Sequence, residues 1–107
     1  MQLAFDKSKF LQDLDAQQAE GAIDVALTSG GKSHIRDFNG MRSIPSPSRF
    51  ALGHLVDAIA GEGAAQRLTE LSTNGRVDVE TYPLDRHLAS VTAIACGHFT
   101  VVIRLRR

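Results

Sequence analysis

The sequence predicts a small α+β domain, a mostly antiparallel sheet covered by helices, in the order α-β-β-α-α-β-β-β. Two kinds of periodicity carry that expectation. Apolar residues recur at helical spacing around residues 10–14 and 52–71, whereas residues 23–27, 77–80 and 91–105 alternate with period two. The connections between most neighbouring strands are short, so the pairing is expected to be mostly antiparallel.

Asp6 reads as an N-cap, and Phe10, Leu11 and Leu14 set the inner face of a helix over 7–20 that Gly21 stops. Its remaining residues, Gln12, Asp13, Asp15, Gln17 and Gln18, read as the solvent side. Ile23, Val25 and Leu27 alternate with Asp24 and Ala26, the pattern of a strand with one buried face, and a second strand returns through Ser33 to Phe38. Asn39-Gly40 closes this region, and Met41 to Ser48 reads as a connection kept extended by Pro45 and Pro47. Ser46 then reads as the cap of a helix carrying Leu52, Leu55, Val56, Ile59 and Ala60 inward. Gly61-Glu62-Gly63 breaks it, and a further helix with Ala64, Ala65, Leu68 and Leu71 inward ends at Asn74-Gly75. Val77 and Val79 begin a short strand that ends near Pro83. Val91–Cys96 and Phe99–Leu105 form the last two strands, around Gly97. No repeat or linker interrupts the chain, so residues 1–107 are expected to form one domain.

Ala26-Leu-Thr-Ser-Gly-Gly-Lys-Ser33 matches the loose P-loop pattern and follows a strand-like run. A P-loop needs a helix starting at the lysine, because the phosphates rest on that helix's free N–H groups and positive dipole end. The residues after Lys32 have no helical stripe and are interrupted by Gly40 and Pro45, so the expected structure is a hairpin turn at Gly30-Gly31, with both glycines free to adopt positive φ.

Composition narrows the functional classes. Hydrophobic residues make up 43% and charged residues 22%, which suits a water-soluble globule rather than a disordered or membrane protein. There is no secretory-signal pattern, and the single cysteine, Cys96, agrees with a reducing compartment; the expected location is cytoplasmic. Twelve basic and twelve acidic residues cancel, which argues against strong non-specific attraction to nucleic acid or anionic membrane. The charge is uneven, with four basic and six acidic groups in residues 1–40 against five arginines and three acids in 76–107.

Helix, glycine turn, helix invites a helix-turn-helix reading, with Arg67 as the one cation on the second helix. The stretch from Leu55 to Pro83 resembles, in its order of helix, glycine, helix, short strand and proline, the dimerisation part of Mor-type phage transcription activators. The likeness covers under a third of the chain. Its Gly75–Pro83 spacing exceeds that family's pattern and no DNA-binding helices follow, so the chain is not assigned to it. Arg76, Arg104, Arg106 and Arg107 form a second candidate contact set, for a phosphate or an acidic partner. Cys96, His98, His87 and Asp85 can be drawn as a zinc site, and Cys96 with His87 as a nucleophile pair, but neither follows a regular ligand or catalytic spacing.

No catalytic residue, cofactor or metal is assigned from sequence. The expected function is a non-catalytic, protein-binding or regulatory module, adaptor-like or inhibitor-like, of a kind found in phage and mobile elements. It is expected to self-associate through a sheet edge. The alternative is a nucleic-acid-binding regulator using residues 50–74 with Arg67, Arg76, Arg104, Arg106 and Arg107; a metal- or thiol-dependent enzyme stands third.

Overall fold

A computed structural model of the chain describes residues 7–73, 79–94 and 98–106. Its elements are α1 (Lys7–Ala19), β1 (Ala22–Thr28), β2 (Ser33–Asp37), β3 (Gly40–Ile44), α2 (Arg49–Ala60), α3 (Ala64–Thr73), β4 (Val79–Leu84), β5 (His87–Ile94) and β6 (His98–Arg104). The fold is α+β, and the expected elements occur in the expected order with one strand added.

The six strands form one sheet in the order β3-β2-β1-β6-β5-β4, antiparallel throughout. Two three-stranded meanders, one from each end of the chain, therefore meet where β1 pairs with β6, and the α2–α3 hairpin links them. The helices share one face: α1 lies on β1, α2 on β6 and β4, and α3 on β5. Beneath them Val25, Val91, Val101 and Ile103 meet Leu14, Leu52, Leu55, Val56 and Leu68 in a single apolar core.

The added strand, β3, occupies Met41–Ile44 of the stretch that sequence reads as a loop. Phe38 and Asn39 form a two-residue turn in which the Asn39 N–H donates to Asp37 Oδ1 at 2.8 Å, and Gly40 follows at φ +129°, a value that excludes most side chains. The extended bias of residues before Pro45 is equally the geometry of a strand, and the proline, having no N–H, ends it.

β5 begins at His87, four residues before the expected start. Asp85 (φ 55°) and Arg86 turn the chain between Leu84 and His87, and aspartate is among the few residues that tolerate this conformation. β4 ends at Leu84, beside Pro83 as expected, and the proline can lie within the strand because β4 is an edge.

Three further corrections are local. The cap of α2 is Ser48, whose Oγ accepts from the Ala51 N–H at 3.0 Å, rather than Ser46. A bulge between Ala22 and Asp24 shifts the phase of β1, so that Ala22 is buried and Ile23 only partly so. Gln18, read as a solvent-side residue, is buried and accepts from Arg86 at 3.0 Å. Asp6, Asn74, Gly75, Val77, Cys96 and Gly97 lie outside the described residues.

Candidate functional site

The P-loop-like segment folds as β1, a four-residue turn and β2, so a strand follows Lys32 where phosphate binding would need a helix. Neither Gly30 nor Gly31 has positive φ. What Gly30 provides is space: a Cβ there would stand 3.2 Å from the ring of His98, whose Nδ1 bonds Ser29 Oγ at 3.0 Å. Ser33, the P-loop serine by pattern, is fully buried and structural. Its Oγ accepts from the Thr28 N–H at 2.9 Å, its N–H donates to Ser46 Oγ at 3.1 Å, and Ser46 Oγ donates to Gly31 O at 2.7 Å. The motif's hydroxyl thus ties the turn to the segment entering α2.

Arg67 lies on α3 but is held by the sheet, donating to both carboxylate oxygens of Glu80 at 2.7 and 3.0 Å. Those hydrogen bonds hold the Glu80 carboxyl below its ordinary value of 4.5, against the opposing effect of burial. A depressed carboxylate pKa contributes stability above the unfolded-state value and loses it as pH falls through the folded-state value. Arg67→Ala is therefore expected to flatten the acid side of a stability-against-pH curve below about pH 4.5, read as urea midpoints, while leaving its slope near neutrality unchanged.

His87 and His98 do not meet. Leu88 pairs with Arg104 and Ile94 with His98, which places the two histidines at opposite ends of the β5–β6 hairpin, roughly 20 Å apart along the strand. The drawn His87–His98 metal set is overturned on that distance.

The face of the sheet away from the helices is the most distinctive surface. Its register places Met41, Arg36, Asp24, Arg104, Leu88 and Pro83 in one row across all six strands. The next row runs Ser43, His34, Ala26, Val102, Ser90 and Thr81. All three helices pack on the opposite side, α1 through Asp15 to His87 and through Gln17 to Arg42. In the first row Asp24 lies between two guanidinium groups. Arg36 Nε donates to Oδ2 at 2.7 Å, and Arg104 Nε stands 3.8 Å from Oδ1, which is buried and has no hydrogen-bond partner among the described residues. Two arginines to one carboxylate leave the row net positive, and Asp24 is the only acid in these two rows. An apolar centre at Ala26 and Val102 lies beside it.

Of the five arginines singled out from sequence, Arg104 lies in this row and Arg106 is exposed just beyond β6, its N–H donating to His87 Nδ1 at 3.0 Å. Arg67 is on the helix side, and Arg76 and Arg107 lie outside the described residues. Arg36 and Asp24 were missed from sequence, because their row exists only once β1 lies between β2 and β6. On the helix side an apolar cleft of about 350 Å³ opens between Phe10, Leu27, Pro45, Leu52 and Leu55. Its lining offers little polar chemistry to orient a ligand, since Ser46 is engaged by Ser33 and Gly31.

No protein-family model and no curated protein sequence matches the chain. Among solved structures, the Legionella pneumophila ATPase DotB matches 99% of this chain with a TM-score of 0.68 at 21% identity. The chain spans 30% of the length of DotB, and at that identity the likeness shows only that the chain shares the fold of that part of DotB.

Proposed function

We propose that the chain is a non-catalytic protein-binding module, working in the cytoplasm, that docks a partner with acidic groups on its uncovered sheet face. The Arg36–Asp24–Arg104 row, set beside apolar Val102, carries this reading. Arg36 is held by its hydrogen bond to Asp24 before a partner arrives, Arg104 stands in ion-pair range of the same carboxylate with its side chain exposed, and an adjoining apolar patch supplies area that water leaves on docking. The fold's occurrence within the longer chain of an ATPase supports a module joined to, or working beside, a larger machine. ATP hydrolysis is not carried over to this chain, because the only P-loop-like segment here closes into a hairpin at Lys32. Self-association through a sheet edge belongs to the same reading.

The test is capture of binding proteins by the purified domain, with nuclease treatment and with the Arg104→Glu variant as controls. Retention of a defined protein that survives nuclease and falls at least tenfold with Arg104→Glu is the expected result. Retention that nuclease removes and that declines steeply with salt would replace this reading with the nucleic-acid one.

A further inference from the structure

We infer that the groove between α1 and α2 binds the alkyl tail of an anionic single-chain amphiphile, a long-chain carboxylate by chemical class, with the head group held at a cation-rich mouth. The site lies on the helix side of the sheet, opposite the docking face, so it stands or falls independently of the proposed function.

α1 packs on β1 and α2 on β6 and β4, and the groove is the space left between the two helices. Its outer part is the cleft of about 350 Å³ described above. An inner part of about 330 Å³ adjoins it, reaching Leu14, Ile35 and Ile44, and Phe10 and Leu27 line both. Each volume falls within the roughly 300–1,000 Å³ usual for small-molecule sites. The lining decides what can enter. In the outer part the one hydroxyl, Ser46 Oγ, is already bonded to Ser33 and Gly31. A polar group there would lose its hydration without replacement, whereas an alkyl tail gains with each methylene that leaves water.

Charge at the mouth selects the head group. The protein has three lysines, and all lie on segments that border this opening. Lys32 follows Gly31, whose carbonyl accepts from Ser46 Oγ at 2.7 Å, which ties the β1–β2 turn to the segment entering α2. Arg49 begins α2, two residues after Pro47 of the lining. Across the groove Lys7 stands three residues before Phe10, on the same side of α1, with Lys9 in the same turn. All four cations are exposed. The acids in or next to these segments are Asp13 and, in sequence, Asp6, so the mouth remains net positive. An amphiphilic cation would meet repulsion here, and a hydrophilic anion would leave the apolar groove unfilled.

The test is titration of the full chain with dodecanoate below its micelle concentration, followed by amide NMR shifts. Saturable one-to-one binding is expected, with the shifts centred on Leu27, Ile44 and Ala51. Dodecyltrimethylammonium, of equal tail length, is expected to bind about tenfold more weakly. Ala51→Trp fills the outer part from an exposed position and is expected to abolish binding, with circular dichroism verifying its fold. Lys7→Glu combined with Lys32→Glu leaves the groove intact and is expected to weaken dodecanoate about tenfold. Equal affinity for the two amphiphiles, or shifts centred on exposed Phe38 and Met41, would overturn the proposal. So would binding that appears only after residues 1–6 are deleted, which would make that segment the occupant. Association with anionic vesicles without one-to-one binding of dodecanoate would assign the cations to a bilayer surface instead.

Discussion

Replacing His87 with alanine is expected to lower the stability of the domain by about 2–4 kcal/mol, measured as the urea midpoint at constant m-value. The imidazole has no exposed side-chain surface and bonds at both nitrogens. Nδ1 accepts from the Arg106 N–H at 3.0 Å, which leaves the ring proton on Nε2, directed at Asp15 Oδ1 3.1 Å away. Arg86 donates to the same carboxylate oxygen at 2.9 Å and to Gln18 at 3.0 Å. One side chain thus joins α1, the β4–β5 turn and the chain beyond β6, three segments that sequence keeps far apart. Alanine would leave a ring-sized cavity and a backbone N–H at Arg106 without its acceptor. Asp15→Ala, which removes a half-buried carboxylate but keeps the ring, is expected to cost less, about 1–2 kcal/mol. A loss under 1 kcal/mol for His87→Ala would show that these bonds are readily replaced by water.

Much of this fold is legible in the sequence because burial imposes a period. The stripe of Leu52, Leu55 and Val56 and the alternation of Phe99, Val101 and Ile103 are consequences of one-sided packing, and each marks its element correctly. What periodicity cannot show is a polar residue facing inward. Gln18 and Asp15 read as solvent groups on α1 because nothing local to that helix reveals His87 beneath it. A usable signal did exist at the other end: His87 is in phase with Ala89, Val91 and Ala93, so extending the β5 alternation backwards places the imidazole in the core. The strand β3 was hidden for a different reason. Its exposure leaves no alternation, and an extended loop and an edge strand have the same backbone bias. The candidate docking face was the least legible part. Arg104 stood out as a cation, but Asp24 and Arg104 become neighbours only through the β1–β6 pairing, a contact between the two ends of the chain that no local pattern encodes.

Leu68→Ala is expected to cost about 2–5 kcal/mol, because the stripe of α3 to which it belongs is buried in the core. In a helix-turn-helix the function of the second helix would reside in outer residues such as Gln66 and Glu70, which are exposed, and its buried stripe would serve the fold alone. Here Ala64, Leu68 and Ser72, spaced four apart, are all buried. Leu68 is wholly inaccessible, and Ser72 Oγ donates to Thr69 O at 2.9 Å and approaches Ile94 O at 3.4 Å. Asp57 of α2 accepts from the Ala65 N–H at 2.8 Å, capping α3 from the neighbouring helix, while Arg67 clamps the outer edge to Glu80. The helix is therefore held on three sides, by the core, by α2 and by β4. Truncating Leu68 opens a cavity that these restraints prevent from collapsing, which places the expected loss toward the upper part of the range. Gln66→Ala, on the exposed side, changes only a Gln66–Glu70 hydrogen bond of 3.3 Å and is expected to stay within about 0.5 kcal/mol. If the exposed substitution instead abolished a salt-dependent affinity for nucleic acid while Leu68→Ala left the fold intact, the structural role of α3 argued from its buried stripe would be wrong.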